Sequence, residues 1–250
     1  MENRYKYTRY NEEATIEYIR KFVLEYNPFL KDYLYENSSE SLFFYQNDSN
    51  SNNFLSIGYV VKYTGEVYRG GFNCYTSIRI VENLLNSLIV KHINSLADFS
   101  IKFSATIDFN KYTVSNFETI WDSFRQFDGY DLSTNKEMLD KLCEHYKEVI
   151  ERYFIPFWEK YSNIQYINDE IINKVPEEDL NNYISDMGNF KKLIIMKLCS
   201  NPEYNNYKDY LKTVVENALK EDKNKYKPFA DLFEELTEIL ETQNNFSNLH

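Results

Sequence analysis

The chain has 250 residues, and its 28 basic and 39 acidic side chains give a formal charge of −11 at neutral pH. That charge favours solubility and argues against a dominant role on nucleic acid or on an anionic membrane. Apolar residues make up 43% and aromatics 17% of the chain, enough for a packed core, so the composition excludes a disordered polymer. Asn, Tyr and Phe are abundant and Gly and Pro scarce, the bias expected of AT-rich codons. A cluster of tyrosines is therefore not by itself a binding surface.

From Asn11 to Asn27 the residues Ile16, Ile19, Phe22, Val23 and Tyr26 fall at helical spacing, and Pro28 is the stop signal. The polar run 47–53 separates two apolar segments, Leu42 to Tyr45 and Phe54 to Tyr63, which read as a hairpin. Thr64-Gly65 and Gly70-Gly71 read as turns. Phe72 to Ile80 alternates as a half-buried strand, and Val81, Leu84, Leu85, Leu88, Ile89, His92 and Leu96 then shift to a helical period. Ile101, Phe103, Ala105, Ile107 and Phe109 alternate with polar residues as a second such strand.

Beyond residue 110 the patterns are helical. Ser115-x-x-Glu118 and Thr134-x-x-Glu137 have the form of capping boxes. A stripe from Leu139 to Phe157 meets Pro156, which predicts a kink or a fresh start. Pro176 opens another helix, Asn189 is placed to cap the segment carrying Leu193 and Ile194, Pro202 precedes a stripe from Tyr207 to Ala218, and a last helix runs from about Pro228 to Leu240. The expected class is α+β: an N-terminal helix and a mainly antiparallel sheet with an inserted helix, followed by an all-helical C-terminal half. The soft boundary falls at Asp128-Gly129-Tyr130, giving an α+β subdomain over 1–130 and a helical subdomain over 131–250 packed on it, or one continuous domain. The first half carries −3 and the second −8.

Chemistry-bearing motifs are sparse. Cys74, Cys143 and Cys199 form no CxxC and are odd in number, as expected of reduced, buried thiols in a cytosol. The amino terminus lacks the apolar stretch of a signal peptide and no apolar run approaches a membrane span, so the expected location is cytoplasmic. His92, His145 and His250 show no metal-binding spacing, and Cys143 and His145 point away from each other on a helix. No metal or cofactor is expected. There is no GxSxG elbow, although Cys143 or Cys74 with His92 stays open as a catalytic pair. Arg69-Gly70-Gly71-Phe72 leads into a strand and not into the helix that a phosphate cradle needs. The basic and aromatic run Arg4 to Tyr10 resembles a single-stranded nucleic-acid groove in type, but stands against the acidic whole.

The polar side of the expected sheet is more informative. Tyr75, Ser77 and Arg79 on one strand and Lys102, Ser104, Thr106 and Asp108 on another should face away from the helix-covered core, with Tyr59 and Tyr63 beside them. Tyr and Arg on a rigid sheet suit a protein-recognition surface, so Tyr59, Tyr75, Ser77, Arg79, Lys102, Thr106 and Asp108 are the candidate partner-binding residues. The competing reading is a solvated sheet face.

Phe72 to Ile80 followed by Val81-Glu82-x-Leu84-Leu85, and Tyr153-Phe154-Ile155-Pro156-Phe157-Trp158-Glu159-Lys160-Tyr161, resemble segments of small uncharacterised bacterial α+β proteins, some of them suspected immunity or defence-associated proteins. The resemblance covers about a third of the chain and carries over no functional residue. It implies a cytosolic bacterial accessory protein. The expected function is a non-catalytic interaction module, of the immunity or inhibitor kind, that masks a partner. Charge complementarity makes that partner a basic protein steered in by the acidic C-terminal helices. A second copy of the chain is the other protein partner open to it; a membrane is not expected, nor nucleic acid. The alternative is a hydrolase or transferase whose site lies between sheet and helices.

Overall fold

The computed structural model describes residues 2–32, 41–48, 50–93 and 104–242, with residues 2–11 described as backbone alone. It is an α+β protein with an N-terminal helix, a five-stranded antiparallel sheet and a helical C-terminal half. Helix α1 (Glu2–Tyr26) reaches further toward the amino terminus than the apolar spacing required. It buries Ile19 and Val23, and Asn27 ends it by sending both its backbone N–H and its side-chain amide to Val23 O. The prolyl ring of Pro28 then prevents continuation.

Strands β1 (Lys31–Asp32), β2 (Ser41–Asn47), β3 (Ser51–Val61), β4 (Val67–Ile78) and β5 (Ile107–Asp108) lie side by side in chain order. The hairpin expected around 47–53 is present, with Asn47 paired to Asn52 and Ser41 to Gly58. A second hairpin turns at Gly65, whose φ of 86° a side chain would resist. Its backbone closes through Gly65 N–H to Lys62 O at 2.8 Å and Lys62 N–H to Glu66 O at 3.0 Å.

Gly70-Gly71 is not a turn: both residues lie inside β4. The reason is a close cross-strand approach, since a Cβ on Gly70 would stand 2.6 Å from the Gly58 carbonyl carbon and 2.8 Å from Tyr59 N. The strand expected over 101–109 is also shorter. Its first three residues lie outside the described residues, and only Ile107–Asp108 is strand. Backbone bonds from Thr106 N to Thr76 O and from Phe109 N to Cys74 O fasten it to β4, each at 2.8 Å.

Helix α2 (Arg79–His92) buries Val81, Leu84, Leu85, Leu88 and Ile89, the stripe that its spacing predicts. Helix α3 (Phe117–Ser123) continues into a 3-10 turn over Phe124–Phe127, and α4 (Lys136–Val149) follows. Neither capping box forms. Asn116 and Asn135 occupy the N-cap positions, and only the Asn135 side chain accepts a capping bond, from Met138 N. Thr134 instead gives its hydroxyl to Asp131.

The expected break at Pro156 is a π turn, Ile150–Phe154, joining α4 to α5 (Ile155–Tyr161). Pro156 has no N–H to offer the preceding turn and its ring would press on a carbonyl there, so the wider turn relieves both conflicts. Helix α6 (Ile164–Ile167) runs into a second π turn, Asn168–Ile172, and a 3-10 turn, Glu177–Asn182, follows Pro176. Helices α7 (Gly188–Leu198), α8 (Tyr204–Glu221) and α9 (Lys223–Thr242) complete the chain. Asn189 does not cap α7, because Met187 takes that position with a φ of 64°.

Two compact units divide the described residues. One lies within Met1–Asp48, Asn52–Tyr75 and Phe109–Glu159, and the other within Ser49–Ser51, Thr76–Asp108 and Lys160–His250. Asp128-Gly129-Tyr130 falls inside the first unit, whose core is aromatic. Phe72 lies 5.1 Å from Phe124 and 5.3 Å from Phe154, and Phe109 lies 5.0 Å from Phe154 and 5.4 Å from Phe157, ring centre to ring centre. Tilted and edge-on pairs at such distances each add about 0.5–1.5 kcal/mol beyond area burial. The second unit buries Leu84, Leu85 and Leu88 of α2, Leu193 and Ile194 of α7, and Leu232, Leu236 and Leu240 of α9.

The Gly70 contact makes a direct prediction. Gly70→Val should destabilise the protein by about 1–3 kcal/mol in urea unfolding, because β3 and β4 must part to admit the side chain. Unchanged stability would show that the strands are not so closely apposed.

Candidate functional site

The candidate partner-binding residues do not make a solvent-facing patch. Tyr59, Tyr75, Ser77 and Thr106 are buried, and Thr106 is 0% exposed. Arg79 and Asp108 are half-buried, and Lys102 lies outside the described residues. Arg79 is the first residue of α2 and not part of a strand. Alternation of polar and apolar residues identified two faces of the sheet but not their surroundings. The polar face here makes internal hydrogen bonds instead of meeting water.

Those bonds converge on a buried ion pair in the second unit. Lys191 Nζ lies 3.1 Å from Glu82 Oε1, with the two side chains 3% and 4% exposed. The ammonium also donates to Ala105 O at 2.5 Å and reaches Ser185 Oγ at 3.5 Å. Thr106 Oγ1 donates to Glu82 Oε1 at 2.6 Å and accepts from Ile78 N at 2.9 Å. Ser77 Oγ donates to Ser104 O, and Ser185 Oγ to Ala105 O. Glu82 Oε2 finds no hydrogen-bond partner among the described residues. Burial lifts the Asp108 carboxyl above its ordinary range, against the pull of Lys191. The sequence carried one signal of this cluster: Glu82 shares a helix face with the buried Leu85 and Ile89.

The thiols read as structural. Cys74 and Cys143 are buried and Cys199 is half-buried. Burial pushes the Cys143 thiol up to about 12 and the Cys199 thiol to about 11, so both stay protonated at neutral pH. His92 Nε2 lies 2.6 Å from Glu235 Oε2, which Lys91 also approaches at 2.6 Å. The hydrogen bonds from Lys91 and then His92 hold the Glu235 carboxyl below its usual range. Among the described residues no three His, Cys, Asp or Glu side chains are grouped to hold a metal ion, and no helix is long and apolar enough to cross a membrane.

One cavity, in the first unit, brings together polar side chains that no sequence motif connected. It is half open, with a volume of about 570 Å³. Ile120 and Val149 contribute apolar wall, while Ser123, His145, Glu148 and Arg152 present polar groups. Ser123 ends α3, and the other three lie on α4 and the π turn after it. Ser123 Oγ is 2.8 Å from His145 Nε2 and donates its own hydrogen to Ile120 O at 2.6 Å. A hydroxyl has one hydrogen to give, so the imidazole must donate at Nε2, which assigns the unprotonated nitrogen to Nδ1. A general base acting on Ser123 would need the opposite tautomer. Glu148 Oε2 stands 4.0 Å from Nδ1, beyond hydrogen-bond distance. Phe124 and Phe127 pack edgewise or tilted against the ring at 4.6 and 5.4 Å. Burial lowers the His145 pKa below its ordinary value, and the charge of Glu148 only partly offsets this.

No family model matches the chain, and comparison with curated proteins and with solved structures finds no match.

Two predictions follow from these contacts. Lys191→Met strands the Glu82 carboxylate in the interior and should remove about 3–5 kcal/mol of stability in urea unfolding; a loss under about 1 kcal/mol would mean that the pair does not hold the unit together. The second concerns acid. Because the folded pKa of His145 lies below the unfolded value of about 6.5, the unfolded state binds more protons between the two, and stability drains away as pH falls through that window. Melting temperatures at pH 7.5 and 5.5 should therefore differ more in the wild type than in His145→Gln; equal differences would contradict a neutral, buried imidazole.

Proposed function

We propose that this chain is a protein-interaction module of the inhibitor or immunity kind, which covers a basic partner instead of transforming it. The observation that carries this reading is the charge on residues 168–186, where six carboxylates meet one lysine. Asp169, Glu170, Glu178, Asp179 and Asp186 are exposed, while Ile171, Ile172, Leu180 and Ile184 anchor the same segment by burial. The carboxylates thus stand on a fixed frame. Glu170 pairs with Lys174 at 2.6 Å and Glu177 with Lys192, but Asp169, Glu178, Asp179 and Asp186 have no ion pair among the described residues. Such a surface attracts a cationic partner and accelerates encounter.

Two further points support the reading. Ser123 gives its hydrogen to a carbonyl and faces the donating nitrogen of His145, so the hydroxyl is not poised as a nucleophile. The resemblance of 72–85 and 153–161 to small uncharacterised bacterial α+β proteins, some of them suspected immunity or defence-associated proteins, supports the same reading. With the sheet residues buried, the acidic segment takes over the docking role that the sequence divided between two surfaces.

The test joins capture to kinetics. A basic protein retained from source-cell lysate should associate about tenfold or more slowly with a variant carrying Asp169→Lys, Glu178→Lys, Asp179→Lys and Asp186→Lys, and its rate should lose most of its salt dependence. A partner whose association rate ignores both the substitutions and added salt would refute the assignment.

A further inference from the structure

The cavity at His145 supports an inference independent of the partner reading. Glu148 and Arg152 are four residues apart, the spacing at which an acidic residue followed by a basic one normally pairs along an α-helix. Here they do not pair: Glu148 has only the 4.0 Å approach to His145, and the guanidinium of Arg152 only the Tyr153 ring at 5.5 Å, among the described residues. Glu148 lies in the last turn of α4 and Arg152 in the π turn that follows. Both side chains nevertheless line the same cavity. A carboxylate and a guanidinium are thus held over one space without neutralising each other.

The other half of the arrangement is the gap at His145. With Nε2 donating to Ser123, the Nδ1 lone pair and the Glu148 carboxylate are two acceptors 4.0 Å apart. They cannot bond each other, but a single nitrogen bearing several hydrogens can sit about 2.9 Å from each. An ammonium meets this requirement and adds the charge that Glu148 lacks. Arg152 offers the bidentate fork that a carboxylate prefers. The volume of about 570 Å³ falls within the range of small-molecule sites, and Ile120 and Val149 supply apolar wall for a side chain.

We propose that this cavity binds a small zwitterion of the α-amino-acid type, with its ammonium held between His145 Nδ1 and Glu148 and its carboxylate held by Arg152. The two charged ends are read by two separate groups, so each can be deleted from either side of the contact. Calorimetric titration of the full chain with the standard free amino acids, their N-acetyl derivatives and their carboxamides provides the test. At least one free amino acid should bind saturably below ~10 mM, and acetylation or amidation should each weaken it about tenfold or more.

Glu148→Gln should reproduce the loss caused by acetylation, and Arg152→Gln the loss caused by amidation. Both residues are exposed, so the fold should tolerate either change, and the melting curve verifies this. A dipeptide arm distinguishes the two sources of such ends: tighter binding of the free amino acid supports the proposal, and tighter binding of the dipeptide overturns it in favour of a peptide site. The proposal also fails if no free amino acid binds in that range, if the acetylated or amidated form binds as tightly as its parent, or if either variant keeps wild-type affinity.

Discussion

The second unit depends on an ammonium and a carboxylate buried together. Taking Lys191 and Glu82 out of water is costly, and attraction between them offsets that cost only if further hydrogen bonds complete both groups. The surroundings do so for the lysine and for one of the two glutamate oxygens, while Glu82 Oε2 has no hydrogen-bond partner among the described residues. Ala105 O and Ser185 Oγ complete the lysine, while Thr106 completes one glutamate oxygen and is itself fixed by Ile78 N. The pair therefore joins helix α2, the end of β4, the approach to β5 and helix α7 at one point. Replacing buried ion pairs by apolar residues of the same volume is often neutral or stabilising, so what this pair adds is direction and not strength. That direction comes from bonds to named carbonyls and hydroxyls.

This cluster also marks where sequence and structure part. The apolar stripe of α2, the first hairpin and the succession of helices beyond residue 110 were legible, because burial of one face imposes a period that a single sequence displays. The burial of Tyr59, Tyr75, Ser77 and Thr106 was not. Alternation shows that Ser77 and Thr106 point together, but the acceptors they meet, Ser104 O and Glu82, come from distant parts of the chain. Gly70-Gly71 misled for a related reason. Glycine marks both a turn and a close approach of two strands, and only the position of Gly58 opposite decides between them. The capping boxes failed by a single residue, where Asn135 capped its helix in place of Thr134.

The cavity residues were still further from view. Ser123 and His145 are 22 positions apart, and neither belongs to a motif. Pro156 did announce an irregularity, and a kink was expected there. Its form is a π turn, with Arg152 inside it and Glu148 in the last turn of the helix before it.

Two groups of polar side chains stand in contrast. Lys191 and Glu82 are buried and committed to each other, whereas Glu148, Arg152 and the Nδ1 of His145 line open space and remain uncommitted. Whether Nδ1 can accept a hydrogen bond depends on the tautomer of the His145 imidazole. Nitrogen-15 NMR of His145 at pH 8 measures it directly. Hydrogen on Nε2 and a bare Nδ1 is the expected result; hydrogen on Nδ1 would contradict it, because that nitrogen would then have no lone pair to offer and Ser123 would face a base.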